Sequence, residues 1–419
     1  MGKRVALLLV LALLTTSYII ITKPVKASGD LWVTRAPMPQ KHGGFGTTSA
    51  NGAVFAIDFN FTYMFDASSD SWASKTPMPT HQSGFAIATC QNKIYVIGGW
   101  NSTDPNTGLA ILTGANEMYD PATDSWRAKA PMPVPTAHMQ ANVVDGKVYV
   151  ISGFLGTISG PTGAPEPNIS DATWVYDPST DSWSTAAPIP TPVWYYASAV
   201  VDNKIYVEGG ETATSPHYTG LNQIYDPETN TWTLGEPLPV SVHKAGAGAT
   251  TGVLAPPRLY VMGGTNDGYN GVNTTQIYDP QTNSWVFGAS MPISRLELEV
   301  AVLNDTLYAM GGASWVGPEA NIGTVYATNE QYIPLDYQGS IPSPYVPTPS
   351  LSPATSPSPT PLPSETPAPS TTPSPSAQPT KTPEPQQEPF PTALVATASG
   401  VSVAIISIAL LVYFKKRKH

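Results

Sequence analysis

A chain of 419 residues is too long for one ordinary hydrophobic core unless it is built from repeats. Its single cysteine, Cys90, excludes an internal disulfide. Nine of the 20 basic residues but only three of the 30 acidic ones lie outside residues 29–337, leaving that part with 11 basic and 27 acidic side chains, a net charge of −16 that repels phosphate backbones and argues against nucleic acid as a partner.

In chain order, Lys3-Arg4 and the apolar run Val5–Leu14 predict a signal peptide over residues 1–27, cleaved after Val25-Lys26-Ala27. An uncleaved anchor is the alternative, because Tyr18–Ile21 lengthens the apolar stretch. Then a phrase begins to recur. Lys93-Ile94-Tyr95-Val96-Ile97-Gly98-Gly99 is followed by Tyr119-Asp120-Pro121-Ala122-Thr123-Asp124-Ser125-Trp126; Lys204–Gly210 and Leu259–Gly264 are followed by the same second half, ending at Trp232 and Trp285. Trp32, Trp72, Trp126, Trp183, Trp232 and Trp285 mark a period near 50 residues, which with paired glycines predicts a propeller of four-stranded blades.

Each part of the phrase has a physical role. Asp145-Gly146 makes a tight hairpin between β-branched strands. Gly-Gly lets the chain turn where a Cβ does not fit. Asp-Pro-x-Thr presets a turn, and the Tyr and Trp fill the space between blades. These residues resemble the kelch repeat family over about residues 30–337. The resemblance implies an all-β, six-bladed kelch-type β-propeller over residues 28–337. Blade 1 is degenerate, with Asp58-Phe59 in place of Gly-Gly. Blade 6 lacks a Trp strand after Asn329–Pro334, while Leu31–Thr34 is a Trp strand without a blade, so the N-terminal strand is expected to close the ring and hide its edges.

Residues 338–392 read as a disordered Pro/Ser/Thr-rich stalk: 341–392 hold 18 prolines, which remove backbone donors and preclude a core. Ala393–Phe414 carries no charge over 22 residues, about 33 Å as a helix and enough to span a bilayer core of about 30 Å. The basic tail 415–419 then places the propeller outside and the tail in the cytoplasm.

The resemblance also implies that the lead-ins to the innermost strands and the loops after Gly-Gly share one face, around the channel. The lead-in position that is often Arg in the family is here His42, Gln82, Thr136, Val193, Val242 and Arg295. With His81, His138, Trp194, Tyr195, Tyr196 and His243 close by, the candidate binding residues are His42, His81, Gln82, His138, Trp194, Tyr196, His243 and Arg295, a set suited to a polar ligand. Asp267–Gly271 has oxygen ligands but the spacing of a plain turn. Asn60, Asn101, Asn168, Asn273 and Asn304 begin glycosylation sequons.

Two functions remain. The first is a membrane-anchored extracellular head that binds a protein or glycan without turnover, membrane contact coming from the C-terminal helix. The second is a carbohydrate enzyme resembling sialic acid mutarotases, using Arg295, Glu297, Glu299 and His42, with Glu297 and Glu299 on one strand face by alternation. The copper radical oxidases of this fold need a Cys-linked Tyr beside histidines, which Cys90, at the far end of an innermost strand, is not placed to supply. No catalytic motif, cofactor loop or metal cluster is legible, so no cofactor is expected.

Overall fold

The computed structural model describes residues 29–159, 165–215, 217–314, 323–341 and 343–345. The signal peptide, the stalk beyond Tyr345, the membrane helix and the basic tail lie outside the described residues. Within them every regular element is a strand, and no helix is long and apolar enough to cross a membrane.

Six four-stranded antiparallel sheets form the blades. Blade 1 is Gly46–Ala50, Ala53–Asp58, Phe61–Asp66 and Ser71–Lys75; blade 2 is Ala86–Cys90, Lys93–Ile97, Asn116–Asp120 and Ser125–Ala128. Blade 3 is Gln140–Val144, Lys147–Ile151, Thr173–Asp177 and Ser182–Ala186; blade 4 is Ala197–Val201, Lys204–Glu208, Asn222–Asp226 and Thr231–Leu234. Blade 5 is Gly246–Ala249, Leu259–Met262, Thr275–Asp279 and Ser284–Phe287. Blade 6 joins Glu299–Leu303, Thr306–Met310 and Asn329–Ile333 to Leu31–Thr34, with Leu31 opposite Ile333 and Thr34 opposite Glu330. The ring therefore closes as the split repeat predicts. Innermost strands of successive blades touch around the circle, including blade 6 against blade 1.

The second strands are apolar on both faces because each lies between two blades. Ile94 and Val96 pack towards blade 1, whereas Tyr95 and Ile97 pack towards blade 3. The core is thus a set of wedges between blades.

The outer strands are stapled to their neighbours by polar bonds. Trp126 Nε1 donates to Thr76 O at 2.8 Å, and Thr76 N donates to Asp124 Oδ1 at 2.9 Å. The same pair recurs five more times: Trp183 with Asp181, Trp232 with Asn230, Trp285 with Asn283, Trp32 with Asp30, and Trp72 with Asp70. The Tyr hydroxyl of the third strand donates to the same Asp or Asn, at 2.6 Å in Tyr119–Asp124 and Tyr176–Asp181. That bond is the main reason the Asp124 and Asp181 carboxyls are held below their ordinary range. Blade 1 has Phe65 instead and lacks this third bond.

The chain leaving blade 6 runs back along the closing strand. Arg35 Nη1 donates to Ser343 O at 3.2 Å and Tyr345 N to Thr34 O at 2.9 Å. Removing residues 29–34 should therefore open the ring, exposing the edge of Asn329–Ile333. The expected outcome is a broadened, earlier thermal transition and self-association on size exclusion; a monomer with unchanged melting would contradict ring closure by this strand.

Candidate functional site

The long loops after Gly-Gly and the lead-ins do share one face. Lead-in residues pair with the residues after Gly-Gly in the same blade: Ser83 with Trp100, Ala137 with Phe154, Trp194 with Glu211, His243 with Thr265 and Leu296 with Ala313. The second glycine N–H then reaches the next blade, as Gly99 N to Thr136 O at 2.7 Å and Gly312 N to His42 O at 2.8 Å. The close approach demands glycine: a Cβ on Gly99 would lie 2.3 Å from Ser83 O. Three of the loops rise as two-stranded hairpins, Trp100–Thr103 with Ala110–Leu112, Phe154–Ser159 with Pro165–Ile169, and Ala313–Ser314 with Thr324–Val325.

This geometry divides the expected binding set, bringing His138 to the mouth and turning others inward. The lead-in side chains turn into the protein. Arg295 is fully buried; its guanidinium donates to Gly311 O at 2.8 Å, to Thr328 Oγ1 and to Glu330. Gln82 does the same job in blade 2, donating to Gly98 O at 2.8 Å. Both brace the glycine loop and neither faces the mouth. Tyr196 is also buried, its hydroxyl donating to Ile151 O and accepting from Gln140 N at 3.0 Å. His42 is held 2.9 Å from the buried Asp58 carboxylate, so the residue that replaces the glycine pair in blade 1 serves as an internal partner. His81 sits on the rim, stacked against Phe59. His243 is buried against the ring of Tyr218, and burial pushes its pKa down to about 4; the imidazole is neutral at pH 7, and its 3.7 Å approach to Glu211 is no salt bridge there.

The residues that reach the mouth lie two positions further on: Gly44, Gly84, His138, Tyr195, Lys244 and Glu297, one per blade, all lining one cavity. All six have left-handed backbones, with φ between 51° and 72°: Gly44 (72°), Gly84 (61°), His138 (56°), Tyr195 (51°), Lys244 (56°) and Glu297 (54°). Their peptides link around the channel: His138 N to Gly84 O, Tyr195 N to His138 O, Lys244 N to Tyr195 O, Glu297 N to Lys244 O and Gly44 N to Glu297 O, at 2.7–3.2 Å. The left-handed turn at Glu297 breaks strand alternation, so Glu297 and Glu299 do not share a face by period two, although both line the cavity.

The mouth is lopsided. Blades 1 and 2 present glycine, whereas blades 3 to 6 present side chains. Tyr195 stacks on His138, their rings 4.1 Å apart, with its hydroxyl 3.2 Å from His138 Nε2. Lys244 Nζ lies 4.7 Å above the Tyr195 ring and 2.6 Å from Glu297 Oε1. Burial, helped by Lys244, pushes the His138 pKa down to about 3, so this imidazole is neutral and hydrogen-bonding. Trp194 lies behind, stacked on Phe154 at 4.8 Å.

A non-glycine residue in this conformation costs about 1–2 kcal/mol, and a part-exposed ion pair returns about 0–1 kcal/mol. Lys244→Gly is therefore expected to leave unfolding free energy within about 1 kcal/mol of wild type while removing the mouth's cation. Chemical denaturation checks this; a loss several times larger would mean that Lys244 holds the ring together.

Cys90 is buried at the opposite end of its strand, its thiol donating to Gly146 O at 3.3 Å. The Asp267 carboxylate is taken up within its own turn, by Tyr269 N at 2.8 Å and Asn270 N at 2.7 Å. Among the described residues no three His, Cys, Asp or Glu side chains converge as metal ligands. Asn60, Asn101, Asn273 and Asn304 are exposed and Asn168 is half-buried.

The Kelch motif matches residues 83–133, 135–190, 195–239 and 251–292. These are blades 2 to 5; blade 1 lacks the glycine pair and blade 6 is divided between the chain ends. The chain is 33% identical over 119 residues to Kelch repeat and BTB domain-containing protein 12 of Homo sapiens, covering 28% of this chain and 18% of that protein. It is 33% identical over 186 residues to Kelch-like protein 25 of Xenopus tropicalis (44% and 30% covered), and 28% identical over 228 residues to Kelch-like protein terF of Aspergillus terreus (53% and 48%). The alignments span less than half the length of each of these relatives. The solved structure of YjhT shares the fold, with a TM-score of 0.57 at 18% identity over 69% of this chain and 98% of that one. Repeats, closure and relatives agree: the chain belongs to the kelch-repeat family of β-propellers, as a six-bladed member.

Proposed function

We propose that the propeller is a binding head displayed outside a cell on a proline-rich stalk and a C-terminal membrane helix. It recognises a protein or glycan partner through the channel mouth and the loops around it. The lopsided mouth carries this reading: a rigid ring offers Tyr195, Lys244, Glu297 and His138 on one side and open glycine on the other. Rigid scaffolds with projecting loops are where recognition usually lives. The exposed Leu109, Ile111, Tyr269 and Val325 on the same loops add apolar contact area. Kinship with kelch-like proteins favours a protein partner. The sugar-isomerase alternative loses support, because Arg295 and His42 are committed inside and Glu297 is paired to Lys244.

Protease added to intact cells should release the propeller; protection would overturn the outward display. The full-length protein is expected to bind saturably to a member of an immobilised panel of surface proteins and glycans. Leu109→Glu/Ile111→Glu should weaken that binding, and a blank panel would count against a recognition role.

A further inference from the structure

One tier below the ring, two residues along each innermost strand, stand Gly46, Ala86, Gln140, Ala197, Gly246 and Glu299. The two glycines make room for the next blade, a Cβ on Gly46 lying 2.7 Å from Phe85 and one on Gly246 2.6 Å from Val300, whereas Gln140 and Glu299 line the mouth cavity. Blades 3 and 6 are opposite in the ring, and Gln140 and Glu299 line the same cavity from these two sides. Glu299 lines both the mouth cavity, of about 70 Å³, and the channel below it, of about 330 Å³. Glu299 is half-buried; its carboxyl has no hydrogen-bond or ion-pair partner among the described residues, and desolvation pushes its pKa up to about 8. The groups that share the pocket leave it so: Lys244 is committed to Glu297, His138 is neutral, and Tyr195 and Tyr196 have hydroxyls in other bonds.

Building on the mouth as the recognition surface, we propose that this throat receives a primary ammonium group on a slender alkyl stem, paired to the Glu299 carboxylate. An ammonium favours ionisation, the carboxyl releasing its proton to solvent and the carboxylate pairing with the cation; an anion would be repelled by that carboxylate, and a neutral group would leave the proton in place. A hard metal ion needs several oxygen ligands, which a tier of glycine and alanine does not supply. An alkylammonium needs one carboxylate, apolar walls for its stem and room for little else. Phe45, Phe85 and Leu298 form those walls. The ammonium belongs either to a lysine side chain of a protein partner or to a free alkylamine.

Calorimetric titration of the full-length protein with n-butylammonium tests the proposal, with n-butanol as the neutral counterpart. Saturable binding of the amine but not the alcohol is expected, weakened about tenfold or more in Glu299→Gln, the worth of one charge-assisted hydrogen bond. Infrared difference spectra of the wild type should show a protonated carboxyl signal lost as amine is added, a readout that needs no variant. Nα-acetyl-lysine methylamide binding more tightly than n-butylammonium assigns the group to a protein lysine; weaker binding assigns it to a free amine. Equal affinity of wild type and Glu299→Gln, equal binding of the alcohol, or no amine binding overturns the proposal. If amine binding fails while Tyr195→Ala still abolishes capture of a panel partner, the throat assignment falls and the mouth reading stands.

Discussion

Arg295→Met is expected to cost about 3–5 kcal/mol of stability, the penalty for breaking a buried ion pair by removing one partner. The substitution strands Glu330 in the protein interior, directly opposite Thr34 of the closing strand, and leaves Gly311 O and Thr328 without their donor. Burial raises the Glu330 carboxyl pKa against the opposing pull of Arg295, and burial lowers that of the guanidinium, so each ion is tolerated only because of the other. The double variant Arg295→Met/Glu330→Met should therefore recover much of the loss, since replacing a whole buried pair by apolar groups is often neutral. Urea unfolding of both variants measures this. Equal loss in single and double variants would show that the bonds to Gly311 and Thr328, rather than the stranded charge, carry the effect.

Glu208→Ile is expected to stabilise the protein at neutral pH. Glu208 is fully buried, and neither carboxylate oxygen has a partner. The matching positions before the glycine pairs hold Ile97, Ile151, Met262 and Met310. Burial alone drives the Glu208 pKa well above its ordinary value. The sign follows: the folded state holds this proton more tightly than the unfolded state. Its cost is absent below the unfolded value of about 4.3. Stability then falls as pH rises, by about 1.4 kcal/mol per unit, until the folded pKa is reached. Glu299, with its pKa near 8, acts in the same direction. Melting temperatures of wild type and Glu208→Ile should nearly coincide at pH 4 and diverge towards neutrality, with the variant higher. Parallel curves would mean that Glu208 has a partner in solution.

The blades were legible because their markers have one job each. Gly-Gly, Tyr-Asp-Pro and Trp sit where a Cβ is forbidden, a turn is preset or a wedge must be filled, and the split repeat at Trp32 and Tyr332 announced the closure. The Asp and Asn of that phrase read only as turn formers; that Asp124 and Asn230 also hold the preceding blade is a contact across more than 40 residues, which no local pattern encodes. Of the mouth, His138 was among the candidates and Tyr195 and Glu297 were named beside them, whereas Gly44, Gly84 and Lys244 were not read. Its six positions hold Gly, Gly, His, Tyr, Lys and Glu, which share no chemistry, only a left-handed backbone. Gly44 and Gly84 were the available hint, since glycine at a repeated position signals positive φ. The rim hairpins were hidden because Asn101–Asp104 and Pro165–Asn168 are poor strand formers.

The most direct test of the account compares partner capture by the full-length wild type with capture by Tyr195→Ala/Lys244→Ala, on the same panel and with folding checked by thermal melting. Recognition at the ring predicts a folded variant that has lost its partner. A folded variant that captures the partner as tightly as wild type would place recognition elsewhere on the propeller and contradict the account.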